Sequence, residues 1–230
     1  MKRVGHKGAH HIAPGNTIAS FDAALEAGVD MIEFDVLRER GSGRLLLAHD
    51  YEDMRRPDVL ELAEGLAHLR SAAYEAIELD VDLKATGYEA DVLAALREHG
   101  LRDRALLSTM ERESLRAIRK LDPGVRIGWS VPKLRRDVLA SPWTKYPAYA
   151  IGGVGRQVLP ARAARAISSG AVDAIMCHWA LVTPRLASAV RRAGGELYVW
   201  TVDDAARIAR LEALGVAGVI TNDPRLFTTR

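Results

Sequence analysis

The sequence has a single cysteine, and its apolar runs are all short. Cys177 alone can form neither an internal disulfide nor a Cys-x-x-Cys metal or redox motif. Every apolar run falls well below the about 18 residues that a membrane helix needs. Residues 1–8 also lack the apolar core of a secretory signal. These absences predict a cytoplasmic protein with no integral membrane span.

Neither sign of charge is in large excess. There are 32 Lys and Arg residues against 30 Asp and Glu residues, which leaves a formal net charge of +2. The basic residues are scattered singly or in pairs, so no electrostatic stripe for a nucleic-acid backbone emerges. We therefore predict no nucleic-acid partner. No oligomeric state is predicted.

Proline and glycine are too few for a collagen-like or low-complexity chain, at 9 and 19 residues. Apolar residues make up 48% of the sequence, and a folded chain of this mass buries about 70% of the surface that its unfolded form exposes. One large core is therefore possible. Because neither an internal repeat nor a linker interrupts the sequence, we predict a single domain over 1–230.

Short apolar runs rich in β-branched residues alternate with helical patterns along most of the chain. In one predicted helix Leu115, Ile118 and Leu121 share a face, and Thr183 and Asp203 or Asp204 suit the N-caps of two others. The runs predict eight strands, at Arg3–His6, Met31–Val36, Ala76–Leu83, Ala105–Ser108, Arg126–Ser130, Val172–Cys177, Leu197–Thr201 and Gly218–Thr221.

A ninth apolar run, Arg44–His49, follows the extended segment 31–40 after three residues. A parallel crossover needs about a dozen residues or more, so this pair must be an antiparallel hairpin. The remaining eight strands predict an α/β fold, a closed (β/α)8 TIM barrel with an antiparallel hairpin inserted after the second strand. The alternative is an open doubly wound sheet, which needs a glycine-rich phosphate loop where the sequence has Gly5–Gly8.

The segment Pro132–Leu159 carries no clear helical pattern. It contains Trp143, Tyr146 and Tyr149 together with several glycines. Two interpretations stay open, a mobile lid over the barrel mouth and an irregular surface excursion whose aromatic side chains pack down.

Charged residues gather at the predicted strand ends, where a parallel barrel has its reactive face. Residues two apart on a strand point to the same side, so Glu33 projects with Asp35, and Asp82 projects with Lys84. Converging carboxylates among apolar residues form a hard-oxygen site suited to Mg²⁺ or Ca²⁺. The alternative is an internal salt-bridge network in which Lys84 and Lys7 neutralise the acids.

Several ordered motifs resemble the glycerophosphodiester phosphodiesterase family, whose fold is the same barrel. The similar segments span most of the chain. They are Gly5-His6-Lys7-Gly8, Pro14-Gly15-Asn16-Thr17, Glu33-x-Asp35, His49-Asp50, Leu79–Lys84, Val199–Val202 and Gly218–Pro224.

The resemblance implies a catalytic pair, His6 and His49, which act as general acid and general base in either order. It also implies a metal site for Mg²⁺ or Ca²⁺ and a lysine, Lys84, that assists at the phosphate. The implied metal ligands are Glu33, Asp35 and Asp82.

Three positions depart from the family pattern. Lys7 stands where an arginine is usual, which keeps the charge but loses the bidentate fork. Gly15 replaces a glutamate at the mouth, and Asp82 replaces a glutamate that is one methylene longer. Sphingomyelinase D-type toxins, which are related, share the Asp-x-Lys pattern of Asp82 and Lys84.

Three further residues are predicted to contact substrate. Lys7 would join Lys84 at the phosphate, His178 follows the sixth strand, and Trp200 ends the seventh. For Trp200 the alternative is that it simply fills the top of the barrel.

The leading functional hypothesis is metal-dependent hydrolysis of glycerophosphodiesters to an alcohol and sn-glycerol 3-phosphate. Asp82 with Lys84, and the aromatic segment 143–149, motivate a phospholipase D-like alternative that acts on lysophospholipid or sphingomyelin-type lipids. Gly15 and Lys7 motivate a second alternative, a catalytically weak barrel that binds phosphoglycerol ligands. Under either hydrolytic hypothesis we expect roles in lipid and glycerol metabolism.

Overall fold

The computed structural model describes residues 1–133 and 142–227, and for 142–154 it describes the backbone alone. Eight parallel strands close into a barrel with helices outside it, so the predicted α/β barrel is confirmed. The strands are β1 (Lys2–Gly5), β2 (Met31–Arg38), β3 (Leu45–Leu46), β4 (Glu78–Leu83), β5 (Ala105–Thr109), β6 (Arg126–Val131), β7 (Ala174–His178), β8 (Glu196–Trp200) and β9 (Gly218–Thr221). The helices are α1 (Ile18–Glu26), α2 (Leu62–Leu69), α3 (Glu89–Glu98), α4 (Arg112–Leu121), α5 (Pro142–Ser168), α6 (Pro184–Arg192) and α7 (Ala205–Ala213).

The barrel closes because β1 pairs in parallel with both β2 and β9. Val4 lies opposite Met31 in one ladder, and Gly5 lies opposite Thr221 in the other. Each remaining barrel strand pairs with its neighbours in the sequence, with β2 beside β4. The carboxyl ends of all eight strands therefore meet at one rim.

The alternation of side chains along the strands divides the core into two layers. The larger layer lies between strands and helices and includes Phe34 of β2 and Phe21 of α1, whose rings are 5.8 Å apart. A smaller cluster fills the barrel interior. Its members are Val4, Met31, Leu106, Ala174, Met176, Tyr198 and Ile220.

The helix ends follow the local sequence. The side chain of Thr183 accepts a hydrogen bond from Leu186 N at the start of α6, and Asp204 caps α7 in the same way. Leu121, which was predicted to share a helix face with Leu115 and Ile118, is not buried with them. It is the last residue of the helix and is 49% exposed.

The segment after β2 is mostly irregular. β3 pairs antiparallel with the end of β2, Leu37 opposite Leu46 and Arg38 opposite Leu45. This ladder is shorter than the predicted strand over 44–49. Leu47 and Ala48 are buried beyond it, and the chain then emerges at the exposed His49.

The segment 132–159 divides at residue 142. From Pro142 onward the backbone belongs to α5, so this part is helical and not an irregular excursion. Residues 134–141 and the side chains of Trp143, Tyr146 and Tyr149 lie outside the described part of the chain. Within the described part, none of the helices is both long and apolar enough to cross a bilayer.

Candidate active site

Three carboxylates meet at the carboxyl ends of β2 and β4. Asp35 lies beside Asp82 in the parallel ladder of β2 and β4. Glu33 precedes Asp35 by two residues on β2, so both side chains point to the same side of the strand. One oxygen of each of these three carboxylates lies within 4.8 Å of the other two. Glu33 and Asp35 are buried, so the structure brings together the three acids that the sequence singled out.

Two lysines lie against this carboxylate cluster. Lys84 Nζ is 2.5 Å from Asp35 Oδ1 and also contacts Asp82, and Lys7 Nζ is 3.4 Å from Asp35 Oδ2. Burial alone would raise the pKa of Asp35, but the adjacent ammonium groups hold that pKa well below its usual value. Burial would lower the pKa of Lys84, whereas Asp35 and Asp82 raise it well above its ordinary value. Asp35 and Lys84 therefore both carry charge at neutral pH.

Glu33 is a buried acid that forms no ion pair with a lysine or arginine of the described part of the chain. Its burial and the charge of Asp35 raise the pKa of Glu33 well above the usual value. Its Oε2 accepts a hydrogen bond from Lys7 N at 2.8 Å. Lys7 adopts the left-handed conformation, with φ of 52°, and this bend turns its backbone N–H toward Glu33. The main chain after β1 thus contributes to the site as well as the Lys7 side chain.

Asn16 is a site residue that the sequence analysis did not single out. Its amide nitrogen donates to Asp35 Oδ2 at 2.9 Å, and its amide oxygen accepts from Asp35 N at 3.1 Å. This reciprocal pair fixes Asp35 in place, and Asn16 itself is held in the left-handed region with φ of 60°. The sequence contained one indication of this role, because Asn16 belongs to the motif Pro14–Thr17. That motif was used only as part of the family resemblance.

His6 follows β1 and is held by residues that follow β9 and β8. Its Nδ1 is 2.6 Å from Asn222 Oδ1, and Asn222 Nδ2 donates to Asp203 Oδ2 at 2.6 Å. Because the Asn222 nitrogen faces a carboxylate, its oxygen must face the ring, and His6 Nδ1 must carry the proton. His6 Nε2 then points toward the carboxylate cluster, 3.9 Å from Glu33 Oε2. Burial lowers the pKa of His6 to about 4, although Asp35 opposes this shift.

His49 reaches the same region from the loop after β3. Its positive form is close enough to Asp35 to contribute to the lowered pKa of that carboxyl. The His49 ring is half exposed, with Nδ1 3.5 Å from Asp50 Oδ2, and His49 N donates to Asp53 Oδ2 at 3.3 Å. The two histidines therefore differ in environment, because the His6 side chain is 22% exposed and the His49 side chain is 49% exposed.

The opposite part of the rim is aromatic. His178 and Trp200 are paired at the ends of β7 and β8, and their rings meet edge to face at 5.2 Å. Trp200 Nε1 donates to Met176 O at 2.9 Å, and His178 Nδ1 accepts from Ala180 N at 3.2 Å. Both residues lie at the predicted rim.

Gly15, at the mouth of the barrel, has little space for a side chain. A Cβ on Gly15 would lie 2.7 Å from His10 Nδ1 and 2.8 Å from Lys7 Cβ. Gly15 N also donates to His10 Nδ1 at 3.1 Å. His10 thus occupies the space into which a side chain at position 15 would begin to extend.

Asp80 precedes Asp82 by two residues on β4, and its side chain is buried. Asp80 does not belong to the three-carboxylate cluster. Burial and the charge of Asp82 raise its pKa to about 7.

Comparison with known proteins agrees with this architecture along nearly the whole chain. The model of the glycerophosphoryl diester phosphodiesterase family matches residues 6–60 and 58–226. A glycerophosphodiester phosphodiesterase from Caldanaerobacter subterraneus subsp. tengcongensis is 25% identical, and the alignment covers 96% of this chain and 93% of the relative. A second relative with that name, from Bacillus altitudinis, is also 25% identical, with 97% and 95% of the two chains covered.

Solved structures share the fold at lower identity. A structure from Silicibacter pomeroyi, described as a putative glycerophosphoryl diester phosphodiesterase, superposes with a TM-score of 0.75 at 18% identity, covering 98% of this chain and 91% of the other. An Oleispira antarctica phosphodiesterase in complex with the product sn-glycerol-3-phosphate superposes with a TM-score of 0.73 at 19% identity, with 98% and 94% covered. The family match over residues 6–226 decides the classification: the chain belongs to the glycerophosphoryl diester phosphodiesterase family.

Proposed function

We propose that the protein hydrolyses glycerophosphodiesters to an alcohol and sn-glycerol 3-phosphate with the help of a divalent cation. The observation that carries this proposal is the cluster of Glu33, Asp35 and Asp82 at the barrel rim, with Lys84 and His6 directly beside it. The family relatives named as glycerophosphodiester phosphodiesterases support it. The Oleispira protein, whose product is sn-glycerol-3-phosphate, supports the same substrate class.

The three carboxylates fit a hard divalent cation, Mg²⁺ or Ca²⁺. Asp82 Oδ1 is buried and accepts no hydrogen bond from any described residue. Such an atom is costly to bury unless a cation satisfies it. The donor set is all oxygen, which suits Mg²⁺ or Ca²⁺ rather than a thiophilic metal. Glu33, Asp35 and Asp82 would hold the ion, which when bound would offset charge on a non-bridging phosphate oxygen.

The lysines would bind the phosphate. Lys84 is charged and lies between two carboxylates, and Lys7 lies on the opposite side of Asp35. A phosphodiester is a monoanion, so its displacement is favoured by cations already fixed around the reacting group. We infer that Lys84 and Lys7 supply that fixed charge and that Asn16 keeps Asp35 from turning away from it.

We assign the general base to His6. Asn222 and Asp203 hold the proton on Nδ1, so the lone pair of Nε2 faces the site. The lowered pKa of about 4 keeps the ring neutral at physiological pH. A neutral imidazole with its free nitrogen toward the reacting group can accept the proton of the attacking oxygen, which belongs either to water or to a neighbouring substrate hydroxyl whose cyclic phosphate water then opens.

His49 would then be the general acid. Its ring faces solvent at the mouth, where a departing alcohol would leave, and its Nδ1 lies 3.5 Å from Asp50 Oδ2. The short antiparallel ladder of β2 and β3 brings this residue back to the rim. The hairpin is thus proposed to serve catalysis by returning His49 to the site.

We propose that His178 and Trp200 form the wall against which the glycerol carbons or the leaving group pack. The apolar faces of the two rings suit such carbons, and their shared rim location supports this role. We also propose that the barrel over 1–230 acts as one catalytic domain in the cytoplasm. Its first and last strands are neighbours, so no smaller part could close the barrel.

The deciding experiment is a panel of glycerophosphodiesters, lysophospholipids and sphingomyelin, tested with added Mg²⁺ or Ca²⁺ and with identification of the products. The proposal requires sn-glycerol 3-phosphate and a free alcohol as products, and no turnover in a metal chelator. Preferred cleavage of the lipids would support the phospholipase D-like alternative. Binding of phosphoglycerol ligands without turnover would support the weak-barrel alternative.

A further inference from the structure

A groove on the outside of the barrel concentrates positive charge away from the candidate active site. It lies between α4 and α5, is floored by β6, and has a volume of about 820 Å³. That volume lies within the range of about 300–1,000 Å³ typical of small-molecule sites. Half of its twelve lining residues are cationic and none is acidic. The six cations are Arg112, Arg116, Arg119, Lys120, Arg162 and Arg165.

The cations form two rows that face each other. Arg112, Arg116 and Lys120 are spaced by four residues on α4, so they share one face of that helix. Arg162 and Arg165 are spaced by three on α5 and form the opposite row. Like charges at this spacing repel each other and cost the helix stability. An anion between the rows would offset this repulsion.

Most of this charge is not neutralised within the protein. Arg119 pairs with Asp173 at 2.7 Å, and the Arg112 guanidinium lies 4.5 Å from the centre of the Trp129 ring. In the described part of the chain, no carboxylate forms an ion pair with Arg116, Arg162 or Arg165. These side chains are exposed and available to a ligand.

We propose that this groove binds a small multivalent phosphate anion from solution. Arginine presents a planar fork of donors that matches two phosphate oxygens at once, and all but one of the six cations are arginines. A groove with cations on both walls suits an anion with several phosphate groups better than it suits one. Its concave shape favours a small ligand over a flat membrane surface. The site is independent of the proposed hydrolytic function, because it lies between two outer helices.

The test is a calorimetric titration of the full chain with inorganic triphosphate at low ionic strength and fixed free Mg²⁺. We expect one triphosphate bound in the groove, at least about tenfold more tightly than inorganic phosphate. The double variant Arg162→Gln/Arg165→Gln should weaken binding at least about tenfold and leave glycerophosphodiester turnover unchanged. The matched control is Arg191→Gln/Arg192→Gln, which removes the same charge from α6 and should bind triphosphate as the wild type does.

Several results would overturn the proposal. They are no triphosphate binding by the wild type, equal losses in the two double variants, and equal affinities for phosphate and triphosphate. Vesicles of anionic phospholipid form a parallel arm. If the wild type bound them through Arg162 and Arg165 and ignored triphosphate, the groove would be a membrane-docking surface instead. A Lys120→Gln variant should also weaken triphosphate binding, which gives a second check from the opposite wall.

Discussion

Asn222 joins His6 to Asp203, because its amide oxygen is 2.6 Å from the His6 ring and its amide nitrogen is 2.6 Å from the Asp203 carboxylate. The amide therefore has only one orientation that satisfies both neighbours. Three strands, β1, β8 and β9, end at this chain of contacts. It fixes which nitrogen of His6 is free to take a proton.

The first prediction concerns this tautomer. Asp203→Asn removes the carboxylate that orients Asn222 and should lower kcat by about 10–100-fold with little change in KM. Nitrogen NMR of His6 should then show a mixture of the two neutral tautomers. Asp204→Asn, which changes a helix cap next in sequence, is the control and should leave the His6 tautomer unchanged. A normal kcat in Asp203→Asn would contradict the positioning role.

The second prediction concerns the metal. Glu33→Gln and Asp82→Asn should each weaken Mg²⁺ or Ca²⁺ binding at least about tenfold, because each removes a charged oxygen ligand. Isothermal titration calorimetry measures this directly. Asp53→Asn is the control, since Asp53 belongs to a separate exposed cluster with His49 and Asp50. If Asp53→Asn lost the ion and Asp82→Asn kept it, the metal site would be misassigned.

The third prediction separates the two histidines. His49→Ala should lose about 10²–10⁴-fold on a natural glycerophosphodiester but recover most of that loss on an activated aryl phosphodiester, whose leaving group needs no proton. His6→Ala should be impaired on both substrates, because with either leaving group the attacking oxygen still needs a base to take its proton. Steady-state rates on the two substrates are sufficient. The reverse pattern would exchange the roles of the two residues.

The fourth prediction tests the crowding at the mouth. Gly15→Glu should reduce activity, because the new Cβ would lie 2.7 Å from His10 Nδ1 and displace it. Adding His10→Ala should restore part of the lost activity by opening that space, because the contact with Lys7 Cβ at 2.8 Å remains. Rates and thermal unfolding of the single and double variants form a double-mutant cycle. Additive effects would show that the two positions are not coupled.

The fifth prediction is a pH dependence of stability. The folded-state pKa of His6 is about 4, below its unfolded value of about 6.5, so the unfolded chain takes up the proton first as the pH falls. The contribution of neutral His6 to the free energy of unfolding is therefore complete above pH 6.5 and is lost as the pH falls toward 4. The free energy of unfolding changes by up to about 3 kcal/mol over this range. Urea unfolding of the wild type and His6→Gln in chelator should show a difference that changes over this window. Parallel curves would contradict the prediction.

The sequence predicted the barrel well because its signals are local. Each strand is a short apolar run, and the crossover argument needs only the number of residues between runs. The carboxylate cluster could also be predicted, because Glu33 and Asp35 lie on the same strand, β2, and β4 lies parallel beside that strand. The structure differs from the sequence-based expectation at two helix ends. Leu121, the last residue of α4, is exposed, and the backbone is helical from Pro142, the first residue of α5.

Other features depend on contacts between distant residues and could not be predicted locally. The orientation of Asn222 is set by Asp203 and His6 together, and His6 is 216 positions away from Asn222. The basic groove shows the same limit. Its cations come from two helices, so along the sequence they look like scattered solvated residues, and they form one surface only when α4 and α5 face each other.

The pairing of β1 with β9 sets the order in which the site is completed as the chain is synthesised. The three proposed metal ligands and His49 are all present once β4 has been made, but His6 lacks its partner until Asn222 emerges. A nascent or truncated chain that stops before β9 would carry both histidines and all three acids without an oriented base. Under the proposed mechanism, full activity therefore depends on the last strand, because only the closed barrel places Asn222 beside His6.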